Sequence, residues 1–249
     1  MKIKGIRVVI TGASSGIGLE LARLFLDRGA RVLGASLPDR QIAIEDNNYH
    51  HVELDISTRE GVDRLFEEAL NQFGKIDCFV ANAGMAHYEK LIRADWDHLN
   101  PIIDTNIKSV MYSAIKMKEL YPTEPFHFMV TSSVMGYWPL PGYAIYSATK
   151  AATSTFLDGL RLEWERDQRL HVVYPVATKT RFFDVAGQPH DSWMMQTSKH
   201  VAKKMLKGLE KDKKKIYPSP IFEMCYRVAP WAISFYRKRE ANLLKRYYS

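Results

Sequence analysis

The short apolar run Gly5–Ile10 ends directly on Thr11-Gly12-Ala13-Ser14-Ser15-Gly16-Ile17-Gly18. Apolar residues at Ile17, Leu21, Leu24 and Phe25 then recur at helical spacing. Strand, glycine turn and helix in immediate succession restrict the chain to a small set of folds. Glycines at such a junction let the backbone turn tightly and approach a pyrophosphate, which then faces the free N–H groups at the helix N-terminus. The spacing is Gly-x-x-x-Gly-x-Gly rather than the commoner Gly-x-Gly-x-x-Gly.

The same alternation runs on through the chain. Strand-like runs at 31–36, 50–54, 77–81, 126–132 and 170–175 are separated by amphipathic segments such as 58–73, 107–120 and 145–166. That order predicts parallel β-α-β units. At 249 residues, with no Pro/Gly/Ser-rich linker or internal repeat, the chain fits one α/β domain.

Tyr146 and Lys150 are four apart and so share one helix face. An ammonium beside a phenol favours the phenolate, moving an ordinary pKa of ~10 down by roughly 1–3 units. The expectation is a tyrosine able to exchange a proton with an alcohol or ketone. Ser133 follows the strand at 126–130 and precedes Tyr146 by thirteen residues. A serine there can hydrogen-bond a substrate oxygen on which charge develops. Asn106 lies in a helical segment, where asparagine has poor propensity and needs a reason.

Taken together, Thr11-Gly-x-x-x-Gly-x-Gly18, Asp55, Asn82-Ala83-Gly84, Asn106, Ser133, Tyr146-x-x-x-Lys150 and Pro175 through Thr180 resemble the classical short-chain dehydrogenase/reductases, over residues ~5–210. The resemblance implies a Rossmann-type, doubly wound, mostly parallel seven-stranded sheet with helices on both faces, and a nicotinamide cofactor. It implies that Tyr146 moves the proton, Ser133 polarises the oxygen, Lys150 holds the nicotinamide ribose, and Asn106 bends its helix and supports a proton relay. Cofactor contacts are expected from Gly12, Ser14, Ser15, Gly16, Ile17 and Gly18, from Asn82, Ala83 and Gly84, and from Asp55 and Ile56 at the adenine. Pro175, Thr178 and Thr180 would meet the nicotinamide side, although Val176 stands where the family has glycine. At the end of the second strand, position 36 is serine where an NAD enzyme usually carries an acid, and Arg40 is near. NADP(H) is therefore favoured, with NAD(H) the alternative and Asp39 its nearest acid.

Met85, Tyr88, Met135, Trp138, Tyr143, Phe182, Phe183, Trp193, Met194 and Met195 would lie over the nicotinamide. Such walls suit an apolar ketone or secondary alcohol: a lipid, a fatty acyl chain or a sterol-like ring. Two distant cysteines, Cys78 and Cys225, give no disulfide framework, and the eight histidines show no metal-ligand spacing, so no metal is expected. No apolar leader precedes the first strand, which suits a cytoplasmic setting.

Charge divides the chain unevenly. Through Gln196 there are 21 Lys+Arg against 24 Asp+Glu; from Thr197 onward there are 14 against 4. We expect a catalytic unit over 1–220, including a substrate loop at 181–197, and a basic, aromatic helical extension over 221–249. Aromatics flanked by cations suit either a helix packed on the fold or a second subunit, or one lying at an anionic membrane surface. Nucleic-acid binding is not expected, because the lysines of 199–215 surround a helix that must also cover the sheet. Association as a homodimer or homotetramer through 107–120 and 145–166 is implied by the resemblance. The rival reading is a cofactor-binding regulatory or membrane-associated protein of this fold with little turnover; it should have lost Tyr146 or Lys150, and both are present.

Overall fold

The computed structural model describes residues 1–38, 40, 44–180, 182, 186, 195–228, 231 and 233–247. Seven strands form the main sheet: β1 (Arg7–Thr11), β2 (Arg31–Ser36), β3 (Tyr49–Glu53), β4 (Cys78–Ala81), β5 (Phe126–Thr131) and β6 (Gln168–Val173), closed at one edge by β9 (Lys215–Ile216). Their order is β3-β2-β1-β4-β5-β6-β9, and every pairing is parallel. Two short strands, β7 (Thr178–Lys179) and β8 (Gln196–Thr197), pair separately. The order reverses between β1 and β4, which opens a crevice at their carboxyl ends, the place where such sheets bind ligands.

Both faces of the sheet are covered. On one side α2 (Arg59–Phe73), α4 (Ser109–Leu120) and α5 (Ala144–Glu163) bury Leu65, Phe66, Met117 and Leu157 against Phe79 and Phe128. Phe66, Phe79 and Phe128 stack at 5.2 and 5.4 Å. On the other side α1 (Gly16–Leu26) and α6 (Ser198–Glu210) bury Leu21, Phe25, Val201 and Met205 against Val8, Ile10 and Val80. The expected doubly wound architecture is what the chain forms. Cys78 is wholly buried, and burial pushes its thiol pKa up.

Some elements differ from expectation. The cap of α6 is Thr197, whose hydroxyl accepts from His200 N at 3.2 Å, while Ser198 Oγ donates to the Lys179 carbonyl. A separate short helix α3 (Trp96–Ile103) precedes the segment containing Asn106. The tail folds as two helices, α7 (Pro220–Val228) and α8 (Ile233–Tyr247). Phe222 and Tyr226 of α7 pack on Trp138, and Leu244 of α8 joins the apolar cluster around Tyr146.

Candidate active site

The glycine turn lies where β1 meets α1. Gly12 has φ +68, and a Cβ there would come within 2.9 Å of the Ala83 backbone. Gly16 has φ +57, and its missing side chain leaves room for the Thr180 methyl. Gly18 lies against the Gly12 carbonyl, so α1 approaches the strand as only glycine allows. Asn82 fastens this turn to the neighbouring strands. Its amide donates to the Thr11 and Gly12 carbonyls at 3.1 and 3.4 Å, and its Oδ1 accepts from Thr131 Oγ1 at 3.1 Å. Ala83 N donates to Thr11 Oγ1.

From this turn a cleft of about 410 Å³ runs along the carboxyl ends of the strands. Ser36, Arg40, Asp55 and Ile56 line one end. Asp55 is exposed, and its Oδ1 accepts from Ser57 N at 2.9 Å; the helix cap itself is Thr58, which accepts from Gly61 N. Ser14, Ser15, Gly16 and Ile17 line the middle, and Gly84, Ser133, Tyr146, Lys150, Pro175, Thr178 and Thr180 the far end. A positive-φ glycine cradle at a helix N-terminus, with an elongated cleft leading from it, fits a dinucleotide pyrophosphate between two nucleoside arms.

At the far end Lys150 Nζ donates to the Thr131 carbonyl at 2.9 Å and stands 5.6 Å from the centre of the Tyr146 ring. The Ser133 hydroxyl lies close enough to the Tyr146 phenol to pull its pKa down, and Ser133 Oγ accepts from Met135 N at 3.1 Å. Ser132 points away, donating to the Lys150 carbonyl within α5. The expected low tyrosine pKa does not hold here. Burial pushes Tyr146 up to about 12 against the downward pull of Ser133, and burial lowers Lys150 to about 8. Desolvation of the phenolate dominates, and a lysine whose own charge burial disfavours does little to offset it.

Asn106 is fully buried and sits in one π-helical turn (Asp104–Lys108) between α3 and α4. Its Oδ1 accepts from Met85 N at 2.9 Å, and its amide donates to the Met85 carbonyl at 2.8 Å and to Thr149 Oγ1 at 3.0 Å. The asparagine therefore ties the loop after β4 to α5, one residue from Lys150. It does not line the cleft.

The residues expected over the nicotinamide divide. Met85, Met135 and Phe182 line the cleft. Tyr143 is buried beneath it, its ring 6.1 Å from that of Tyr146, so it supports the wall rather than facing the cavity. Trp138 is turned toward α7. Trp193, Phe183, Met194 and Asp39 lie outside the described residues. Where Val176 replaces glycine, its carbonyl accepts from Thr178 Oγ1 at 2.8 Å.

Sequence reasoning missed one arrangement. Ser36 Oγ lies 2.9 Å from His51 Nε2, and His51 Nδ1 lies 2.9 Å from Tyr49 Oη. Tyr49 and His51 alternate on one face of β3, the only signal the sequence offered. The histidines also yield a group it did not suggest. His127, His171 and Asp212 gather within 4.8 Å, toward the opposite end of β5 and β6. The two imidazoles are nearly coplanar, with nitrogens 2.9 Å apart, and His171 Nδ1 donates to the Lys213 carbonyl. Burial drives His127 down to about 3. Asp212 is paired with Arg169 at 3.2 Å. Those contacts describe a neutral hydrogen-bonded pair rather than converging metal ligands.

Residues 7–190 match the family model described as short chain dehydrogenase. An uncharacterized oxidoreductase of Staphylococcus saprophyticus is 38% identical over 162 residues, covering 63% of this chain and 66% of that protein. One from Listeria monocytogenes is 32% identical over 195 residues, covering 74% and 79%. Among solved structures, a short chain dehydrogenase from Burkholderia cenocepacia in complex with NADP superimposes with a TM-score of 0.81 at 21% identity, covering 94% of this chain and 97% of that one. One from Burkholderia phymatum in complex with NAD gives 0.80 at 20%, covering 95% and 97%. At such identities the likeness is one of fold.

Proposed function

This chain belongs to the short-chain dehydrogenase family, and we propose that it moves a hydride between a nicotinamide dinucleotide, NADP(H) in preference to NAD(H), and an apolar ketone or secondary alcohol. The observation that carries this is the convergence of Ser133, Tyr146 and Lys150 at the end of the cleft that begins at the glycine cradle. When bound, the nicotinamide supplies or accepts the hydride.

Everything else falls to this chain's residues. Gly12, Ser14, Ser15, Gly16 and Ile17 would receive the pyrophosphate, with Thr180 closing from the opposite side, and Asp55 and Ile56 would meet the adenine. Ser133 donates to the substrate oxygen and Tyr146 gives it a proton in reduction. With burial holding Tyr146 near 12, the phenol keeps its proton through the neutral range, the form that serves as acid in reduction. Lys150, fixed on the Thr131 carbonyl, holds the ribose, and Asn106 fixes the Met85 loop beside it.

The preference for NADP(H) is supported by Ser36 and Arg40 at the cleft end. A serine there leaves room for a 2′-phosphate, and the arginine can pair with it. The apolar substrate class is supported by Met85, Met135 and Phe182. We read residues 1–220 as the catalytic unit, with 181–197 its substrate loop and 221–249 its extension. Ile115 and Leu162, exposed on α4 and α5, support pairing of subunits through those helices. Among the described residues no helix is long and apolar enough to cross a membrane.

A panel of apolar and polar ketones, followed by loss of reduced-nicotinamide absorbance, tests this reading. Turnover should favour apolar ketones and vanish in Tyr146→Phe. Equal rates with phosphorylated or polycarboxylate ketones would contradict the substrate class.

A further inference from the structure

Helix α7 has two apolar faces and only one is covered. Phe222 and Tyr226 point inward, their rings 4.7 and 5.9 Å from Trp138. Ile221, Met224 and Val228 recur at helical spacing on the outer side, 66%, 60% and 77% exposed, and Trp231, beyond the helix end, is 77% exposed. Large apolar side chains grouped this way on a surface mark a site of contact.

One loop links the patch to the wall of the cleft. Trp138 belongs to the loop that follows Ser133 and Met135 and leads to Gly142 and α5. On its other side, Glu89 N donates to the Gly142 carbonyl, and Leu244 of α8 reaches that glycine. Leu91 and Ile92, two residues beyond that bond, are also exposed, between Lys90 and Arg93. Apolar side chains thus stand on both sides of the loop that walls the substrate end.

Charge says what covers this face. Glu223 and Arg227 of α7 neutralise each other at 3.1 Å. Beyond Trp231 come the exposed cations Arg237, Lys238, Arg239 and Lys245, while the acid of that helix, Glu240, is buried. An exposed segment of one charge sign finds no complement in the identical segment of a second copy. An anionic bilayer complements both features, because apolar side chains enter the headgroup boundary while cations meet the phosphates, and the two signals act together. We propose that the α7 face and its basic continuation dock the protein on an anionic lipid surface, with the cleft mouth turned toward the acyl layer. The docking stands on these exposed residues; its use, delivery of an apolar substrate, rests on the function proposed above.

Sedimentation of the full chain with vesicles of phosphatidylcholine, alone or mixed with phosphatidylserine, tests this. The protein should pellet with the mixed vesicles, release as salt is raised, and bind phosphatidylcholine several-fold less. The double variant Met224→Glu/Val228→Glu should lose most of that binding, and Arg237→Gln/Lys238→Gln/Arg239→Gln should lose its salt-sensitive part. NADPH affinity, measured on the same samples, should be unchanged in both. Vesicle binding without NADPH binding would support the docking and sink the hydride-transfer reading instead. A wild type that stays in the supernatant with both vesicle types would overturn the docking. So would a double variant that pellets like wild type. Conversion of a dimer to a monomer by Met224→Glu/Val228→Glu, without any vesicle binding by wild type, would assign the face to a second copy and overturn the proposal.

Discussion

Asn106 and Met85 hold each other by a reciprocal pair of hydrogen bonds, 2.9 Å from the Met85 amide and 2.8 Å to its carbonyl. The pair reaches from the π-helical turn to the loop after β4 and leaves the asparagine with no exposed surface. It places the backbone of Gly84 against both Asn106 and Lys150, since a Cβ on that glycine would lie 3.2 Å from Asn106 Oδ1 and 3.3 Å from Lys150 Nζ.

Asn106→Ala should therefore act on the site through the loop. It strands the Met85 amide and carbonyl, at ~1–3 kcal/mol for each buried group left unsatisfied, while the Thr149 hydroxyl keeps its bond to the Tyr146 carbonyl. The melting temperature should fall, and turnover should fall further than NADPH affinity, because the chemical end of the cleft loosens first. Calorimetry and a cofactor titration on one preparation separate the two effects.

Gly12→Ala should cost both fold and cofactor. The substitution forces a side chain into the left-handed region at φ +68, at roughly 1–2 kcal/mol, and within 2.9 Å of the Ala83 backbone. Circular dichroism should show a lowered melting temperature, and NADPH should no longer bind.

Cofactor choice should turn on the Ser36 end. Arg40→Ala should weaken NADPH by about 10–100-fold, the ~1.5–3 kcal/mol of a charge-assisted hydrogen bond, and leave NADH nearly unchanged. Ser36→Asp should reverse the preference. His51→Ala removes the imidazole that hydrogen-bonds Ser36 Oγ at 2.9 Å and should narrow the NADPH/NADH ratio without abolishing either affinity. Burial lowers the His51 pKa, so this preference should hold steady from neutral to alkaline pH. Fluorescence titrations with the two cofactors check all three variants.

The two directions of reaction should respond oppositely to pH. Tyr146, held near 12, must lose its proton before it can act as a base, so alcohol oxidation should climb as pH rises from neutral toward 12. Ketone reduction draws on the protonated phenol and should not fall through loss of that proton until pH approaches 12. Stability follows the raised pKa with its own sign. Between ~10 and about 12 the folded chain holds a proton that the unfolded chain releases, so that contribution to stability declines as pH rises through this window. Lys150, lowered to about 8, acts the other way, and its burial penalty is relieved as pH rises from about 8 toward its ordinary value. Initial rates in both directions and melting curves across this range check the signs.

The strands, the glycine turn and the Tyr146–Lys150 face were legible because each is written locally, in periodicity or in a spacing of four. The arrangements the sequence hid depend on pairing between distant segments. Ser36 meets His51 only because β2 and β3 pair in register, with Ser36 opposite Glu53. The π turn at Asn106 leaves no periodic trace in five residues, and β7 and β8 are too short to show any. The tyrosine pKa was misjudged for a physical reason: a lysine four residues away is visible in sequence, but the burial that raises the phenol is not. The tail was read as either packed or membrane-facing, and α7 shows why the residues pointed both ways. Its Phe222 and Tyr226 pack, while Ile221, Met224 and Val228 do not.

The most direct test of the account is a binding titration of NADPH and NADH against wild type and Tyr146→Phe, followed by turnover of an apolar ketone. Both proteins should bind, NADPH should bind at least several-fold tighter, and only wild type should turn over. Failure of both cofactors to bind, or a Tyr146→Phe protein that reduces the ketone as fast as wild type, would contradict it.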